Sequence, residues 1–365
     1  MTTRDHQQLT QQYSTWGDKL LQHTDVLYAI QHQRTFRPIT VQLAPCEVCD
    51  SDCPFCSVAD RPLHSYMPFA RIQQALRDLR ALGAKSLELT GGGNPLLYRD
   101  RETGETLNDV VRFAHQLGYE VGIITNSHDL KHLDPAVYDL IRWLRVSLIR
   151  LDEGVSPEDY DFRGFPEARL GFSYIIYESA ERSPNRQRPY AGTTTTSIER
   201  MVRLVDLHPE VKFVRIAGNC LIKGNNRVVA EKWRPVIEAL DTHGKMFVKD
   251  IGDDDSPFAA GCYVGAIRPY IAASPDGDGS YHVYTCTSHV LQQRTYDLRH
   301  SLGTTDEIPH IWARMSENYR VLGFPYEIDG NRGCGWDATC KFCFYRFNNR
   351  ILHTVAHEMP DKNFA

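Results

Sequence analysis

Between residues 39 and 245 short apolar runs alternate with stretches of helical periodicity about six times, and this rhythm leaves few folds open. Residues 39–43 read as a strand. Ile72, Ala75, Leu76, Leu79 and Leu82 then recur at helical spacing, with Gly83 where a helix should stop. Residues 86–90 predict a second strand, 107–117 a helix ended by Gly118, and 120–125 a third strand. A helix over 135–143, strands over 144–149 and 170–176, and a helix over 197–207 with Ser197 as N-cap follow. A strand over 211–217 and a helix over 229–243 complete the run. Such alternation calls for an α/β fold, a parallel sheet or barrel with helices outside. Folds of this kind place their chemistry at the C-terminal ends of the strands.

Composition removes several function classes. The 365 residues are 42% hydrophobic and 24% charged, as in an ordinary globular protein. A net charge of −5 argues against a general binder of nucleic acid or membranes. No run reaches the roughly 20 apolar residues of a membrane helix. Residues 1–20 are polar and lack the apolar centre of a secretion signal, which points to the cytoplasm. In a reducing compartment clustered cysteines signal metal rather than disulfides. Of the ten cysteines, Cys46, Cys49, Cys53 and Cys56 form one group and Cys334, Cys340 and Cys343 another, with Cys262 and Cys286 between and Cys220 alone.

The first group follows the first predicted strand directly. Thiolates are soft iron ligands, and short spacings let one loop wrap a compact cluster. Three ligands on a four-iron cube leave one iron open to a chelating substrate. The arrangement Cys49-x3-Cys53-x2-Cys56, with Phe55 before the last cysteine, resembles the signature of the radical S-adenosylmethionine (SAM) superfamily. That resemblance implies a partial (β/α)6 TIM-like barrel, a [4Fe-4S] cluster on Cys49, Cys53 and Cys56, and reductive cleavage of SAM to a 5′-deoxyadenosyl radical. A zinc site using the Cys46-x2-Cys49 pair is the competing reading. Cys46 is otherwise a spare thiol beside the cluster.

Further segments carry the same likeness. Gly91-Gly92-Gly93-Asn94-Pro95 closes the second strand, where the family has a G-G-E-P-like stretch that binds the SAM amino group. Asn94 stands near the usual acidic position, and glycines allow close backbone approach. Thr125 and Asn126 resemble the third-strand segment near the SAM ribose, with Ser127 in place of its glycine. Ser147 matches the fourth-strand serine, and Arg145 shares its strand face. Arg215 and Ile216 match the sixth strand, where a residue packs on adenine.

After residue 245 the pattern changes. An acidic link at 250–257 precedes a hairpin expected over 268–273 and 281–285, then a helical, cysteine-bearing tail. This order resembles the SPASM or shorter Twitch extension, a β-hairpin plus helix that holds an auxiliary [4Fe-4S] cluster. The resemblance implies Cys262, Cys286, Cys340 and Cys343 as ligands, with Cys334 as a substitute. A structural zinc site is the alternative. Trp336, Phe342, Phe344 and Tyr345 would shield a cluster or simply pack. The expected organisation is a lead-in over 1–38, a barrel over 39–245 and an auxiliary-cluster domain over 246–365.

The resemblance implies oxidation or rearrangement of a small molecule, nucleoside or modified nucleobase, with flavodoxin or ferredoxin as electron donor. Peptide modification is the alternative substrate class. The 48 residues before Cys49 are short for the familiar leader-binding domain of peptide maturases. Arg182, Arg186 and Arg188, with Tyr190 nearby, leave contact with nucleic-acid phosphates open against a plain solvated loop. Cys220 reads as a buried structural thiol or a hydrogen donor, and His64, His128 and His289 as structural residues. A zinc-bearing nucleic-acid-binding or scaffold protein is the reading from a different class.

Overall fold

The computed structural model describes residues 3–14, 17–178, 190–222, 224–249, 261–290, 294–327, 343 and 345–357. The elements run α1 (Thr3–Tyr13), α2 (Thr24–Tyr28), β1 (Thr40–Leu43), α3 (Phe69–Ala81), β2 (Ser86–Leu89), α4 (Leu107–Gln116), β3 (Glu120–Thr125) and β4 (Ile141–Ser147). They continue as α5 (Ile149–Asp152), β5 (Leu170–Ile176), α6 (Thr195–Leu207), β6 (Val214–Gly218), α7 (Asn225–Leu240) and β7 (Met246–Val248). The C-terminal part holds α8 (Val264–Ile267), β8 (Tyr270–Ala273), β9 (Tyr281–Tyr284), β10 (Ser301–Thr304), α9 (Ile308–Leu322) and α10 (Arg346–Ala356).

Strands β1 to β7 pair in parallel and in sequence order, so the α/β reading with a partial (β/α)6 barrel holds. Alternation along each strand separates an apolar, helix-facing side from a polar interior side. Val41, Leu43, Leu87, Leu89, Val121, Ile123, Leu144 and Val146 are at most 1% exposed. They face helices whose buried residues repeat at helical spacing, such as Ile72, Ala75, Leu76 and Leu79 of α3. Each such side chain contributes roughly 1.5–3 kcal/mol through removal from water. The opposite face carries Gln42, Glu88, Arg145, Ser147, Ser173 and Arg215 into the lumen.

Helix stops follow the expectation: Gly83 and Gly118, just past α3 and α4, take positive φ of 113° and 81°. Two expectations need correction. The segment expected to be helical over 135–143 is a short 3₁₀ turn, Pro135–Leu140, and β4 starts at Ile141. Pro135 starts that turn behind Asp134, whose side chain accepts from the Ala136 N–H, and Ile141 is wanted by the sheet beside Val121. The N-cap of α6 is Thr194, not Ser197. Ser197 sits at the third helical position and completes a reciprocal capping box.

The C-terminal hairpin joins the barrel sheet. Strand β8 pairs in parallel with β1, through Gln42↔Tyr270 and Leu43↔Ile271, and antiparallel with β9. Strand β7 pairs with β6 at the other edge, so the barrel's last strand ends at Val248.

Candidate active site

The cysteine loop leaves the C-terminal end of β1 and meets the glycine turn that leaves β2. Two backbone hydrogen bonds join them: Gly93 N donates to Cys46 O at 3.0 Å and Asn94 N to Val48 O at 2.8 Å. The turn needs glycine for two reasons. Gly91 and Gly92 have φ of +80° and +55°. A Cβ at Gly91 would lie 2.8 Å from Tyr270 Cε2, and one at Gly93 would run into the Val48 carbonyl. These glycines permit a close approach to the protein's own Tyr270, Glu47 and Val48.

Cys49, Cys53 and Cys56 are half-buried and lie within electrostatic reach of one another. Burial pushes the Cys49 and Cys53 thiols up, and the neighbouring thiols push further on Cys53. Arg61 sits beneath them: Nη1 is 3.7 Å from Cys56 Sγ and Nε donates to Glu47 O at 2.8 Å. Among the described residues no three His, Cys, Asp or Glu side chains converge as a single ion requires. A cubane asks for something else, since each thiolate binds a different iron and the sulfurs stand apart around it. Three soft donors on one loop, of which Cys49 and Cys53 are costly to ionise alone, fit that group. Cys46 is 2% exposed and its Sγ lies 3.5 Å from Asn94 O, so it packs under the turn.

Asn94 differs from expectation. It is 1% exposed and its amide is fully engaged: Nδ2 donates to Ser127 Oγ at 2.9 Å and Asp50 Oδ1 at 3.2 Å, and Oδ1 accepts from Thr125 Oγ1 and Leu96 N. It ties the cysteine loop, the glycine turn and the end of β3 together instead of facing a ligand. Asn126 does a related job, donating to Ser51 Oγ at 2.7 Å. Thr125 is 3% exposed. Ser147 is half-buried, in register with Ser173, and Ser173 with Arg215, so these three line the lumen together. Ile216 is fully buried on the opposite strand face among the helix-facing residues, so its side chain does not reach the lumen. Phe55 packs on Tyr177 with ring centroids 5.3 Å apart.

Several supporting residues were missed from sequence. Arg150, just after β4, pairs with Asp50 and with Glu153 at 2.7 Å. Glu153 also accepts from Ser51 Oγ and Tyr190 OH. Tyr190 is 3% exposed, and its hydroxyl joins the support of the loop through Glu153. Glu47 is wholly buried between Tyr296 OH at 2.7 Å and Arg61 Nε at 3.6 Å, and burial lifts its carboxyl to about 7. The available signal was the acidic residues inside the cysteine loop, which demand cations once buried.

At the second group, Cys262 Sγ accepts from Tyr326 OH at 3.2 Å, and Tyr326 is also within electrostatic reach of Cys286. Asn349 Oδ1 accepts from the Tyr263 and Val264 N–H groups, which anchors α10 beside Cys262. Tyr345 OH donates to Gln42 Oε1 at 3.2 Å and so touches the barrel lumen. Cys343 is half-buried. Cys334, Cys340, Trp336, Phe342, Phe344, Arg182, Arg186 and Arg188 lie outside the described residues. Cys220, at the end of β6, is within electrostatic reach of Cys56, and burial pushes its thiol up to about 11. His289 is buried, stacked on Tyr284 at 4.3 Å, consistent with packing.

No protein-family model matches the chain, and no curated protein matches it. Solved structures do. SuiB from Streptococcus suis bound to the precursor peptide SuiA aligns with TM-score 0.48 at 13% identity, over 80% of this chain and 69% of that one. His6-tagged anSMEcpe with bound AdoMet aligns with TM-score 0.44 at 11% identity, over 89% and 97% of the two chains. BtrN in complex with AdoMet and 2-DOIA aligns with TM-score 0.39 at 13% identity, over 79% and 87%.

Proposed function

We propose that this protein is a radical SAM enzyme acting on a small molecule, a nucleoside or a modified nucleobase. The observation that carries the reading is the pinning of the Cys49–Cys53–Cys56 loop, at the C-terminal end of β1, onto the glycine turn that closes β2. Cys49, Cys53 and Cys56 would hold a [4Fe-4S] cluster, and the backbone of Gly91–Gly93 the methionyl end of SAM. When bound, the cluster supplies the electron that cleaves SAM to methionine and a 5′-deoxyadenosyl radical.

The chain's own residues position these groups. Asn94, Thr125, Ser127 and Asn126 fix the turn against the loop, and Arg150 neutralises Asp50 beside the thiols. Arg61 places a guanidinium N–H on the Cys56 sulfur. Ser147, Ser173 and Arg215 offer polar groups to a hydroxylated or charged substrate in the lumen. Whether the step is an oxidation or a rearrangement depends on the radical's fate, and flavodoxin or ferredoxin fits as the donor in a reducing, cytoplasmic setting. Cys262, Cys286, Cys340 and Cys343, with Cys334 as substitute, would hold an auxiliary [4Fe-4S] cluster in the C-terminal region that follows β7. Among the described residues no helix is long and apolar enough to cross a membrane.

The test is anaerobic reconstitution with iron and sulfide. The intact chain should bind iron at two centres and release 5′-deoxyadenosine from SAM after reduction. Cys49→Ala, Cys53→Ala and Cys56→Ala should each abolish release, whereas Cys262→Ala should lower iron content and spare the first centre. Stoichiometric zinc without iron, or deoxyadenosine release that survives Cys53→Ala, would overturn the reading.

A further inference from the structure

The barrel has a second opening, at the end away from the cysteine loop. There a cavity of about 650 Å³ is bounded by the starts of the strands, at Thr40, Ser86, Glu120 and Leu170, and by the N-terminal segment. That segment lies across the opening: Tyr13 stacks on Phe213 at 4.4 Å, and Lys19 Nζ donates to Gln12 O and Ser14 O.

The lining is unbalanced in charge. Lys19, Arg142, Arg145, Arg169, Lys212 and Arg268 contribute cations. Glu88 and Glu120 are the carboxylates among the lining residues. Glu88 is already committed: Oε2 takes Arg268 Nη2 at 2.9 Å and Oε1 takes Gln42 Nε2 at 2.7 Å. Glu120 is exposed at the rim.

Arg145 has no carboxylate bonded to it among the described residues: Glu88, already held by Arg268, is the acid within its electrostatic reach. The Arg145 Nε is buried with no hydrogen-bond partner among the described residues, and so is the Nε of Arg268. An arginine stays charged in a protein. It cannot escape the cost of burial by losing its proton, as a lysine can. A second lumen guanidinium, Arg215, stands two strands away and two residues further along, opposite Ser173 where Arg145 is opposite Gly171, and its Nε too lacks a partner among the described residues. Burial and this neighbouring charge both disfavour the charged form of Arg215. Water can solvate such groups, but a fork of parallel N–H donors is matched best by an oxyanion.

We propose that this cavity binds a small oxyanion ligand, carrying a phosphate or a carboxylate, with Arg145 as its principal partner. The exposed rim cations Lys19, Arg142 and Lys212 draw such a ligand in. Trp143 and Phe213 give its carbon portion an apolar wall. The site lies at the N-terminal ends of the strands, the end that in barrels serves stability rather than chemistry. It therefore supports or regulates the barrel and does not depend on the radical SAM reading.

Calorimetric titration of the full chain at constant ionic strength, with inorganic phosphate in one arm and succinate in another, tests this. Saturable one-to-one binding of at least one anion is expected, weakened at least tenfold in Arg145→Met and severalfold in the surface variant Lys212→Glu. Phosphate binding alone marks a phosphate site and succinate binding alone a carboxylate site, and either supports the proposal. Without added anion, Arg145→Met should melt no lower than the parent, because the cost of burying the guanidinium outweighs what the shared Glu88 returns. No saturable heat in either arm, or binding undiminished in Lys212→Glu, overturns the proposal. So does an anion-free Arg145→Met that melts well below the parent.

Discussion

Lys249, just beyond β7, is a residue whose charge the barrel opposes. Burial first, then the Arg215 and Arg145 guanidiniums, lower it from the ordinary 10.5 to about 7. The unfolded chain therefore binds more protons than the folded one between about pH 7 and 10.5. Stability should rise with pH across that window and lose this contribution below it. Urea unfolding from pH 7 to 10 should show this rise in the parent and a flatter profile in Lys249→Met. Parallel profiles would show that the amine is solvated after all. The sequence displayed Lys249 after an apolar run but not the two arginines, which come from strands far away in the chain. Asn94 makes the same point. Its place beside the glycines was legible, and its commitment to Asp50, Thr125 and Ser127 was not.

At the scale of elements, periodicity located most helices and strands but not their ends. Thr194 and Ser197 are both good caps by type. The tertiary fold settles the choice, because Ser197 Oγ also reaches Asp152 Oδ1, at 3.5 Å. Thr194→Ala removes the acceptor for the Ser197 N–H and should cost about 1 kcal/mol in chemical denaturation. A change under a few tenths of that would return the cap to Ser197. The β3–β4 connection failed for a related reason. Residues 135–143 have helical spacing, but Ile141 and Trp143 are drawn into the sheet beside Val121 and Gly122.

Across the whole molecule, the unexpected feature is that the C-terminal hairpin continues the barrel sheet through β8 and β1. The contact is reinforced inside the lumen by Arg268 on Glu88, and beneath the glycine turn by Tyr270 and Tyr296 around Glu47. Truncation after Lys249 should thus expose the β1 edge and leave Glu47 without Tyr296. Such a chain should lose its cooperative thermal transition or aggregate. A truncated chain that melts as sharply as the parent would mean the two parts fold independently. The α/β rhythm, the cysteine spacing and the glycine turn were fixed locally, because each depends on residues within one strand–loop unit. Which charges are buried together, which strand covers β1 and which side chains reach the lumen were decided only by the fold. Those pairings join residues more than 200 positions apart, Glu47 with Tyr296 and Gln42 with Tyr270, and only strand closure brings them into contact.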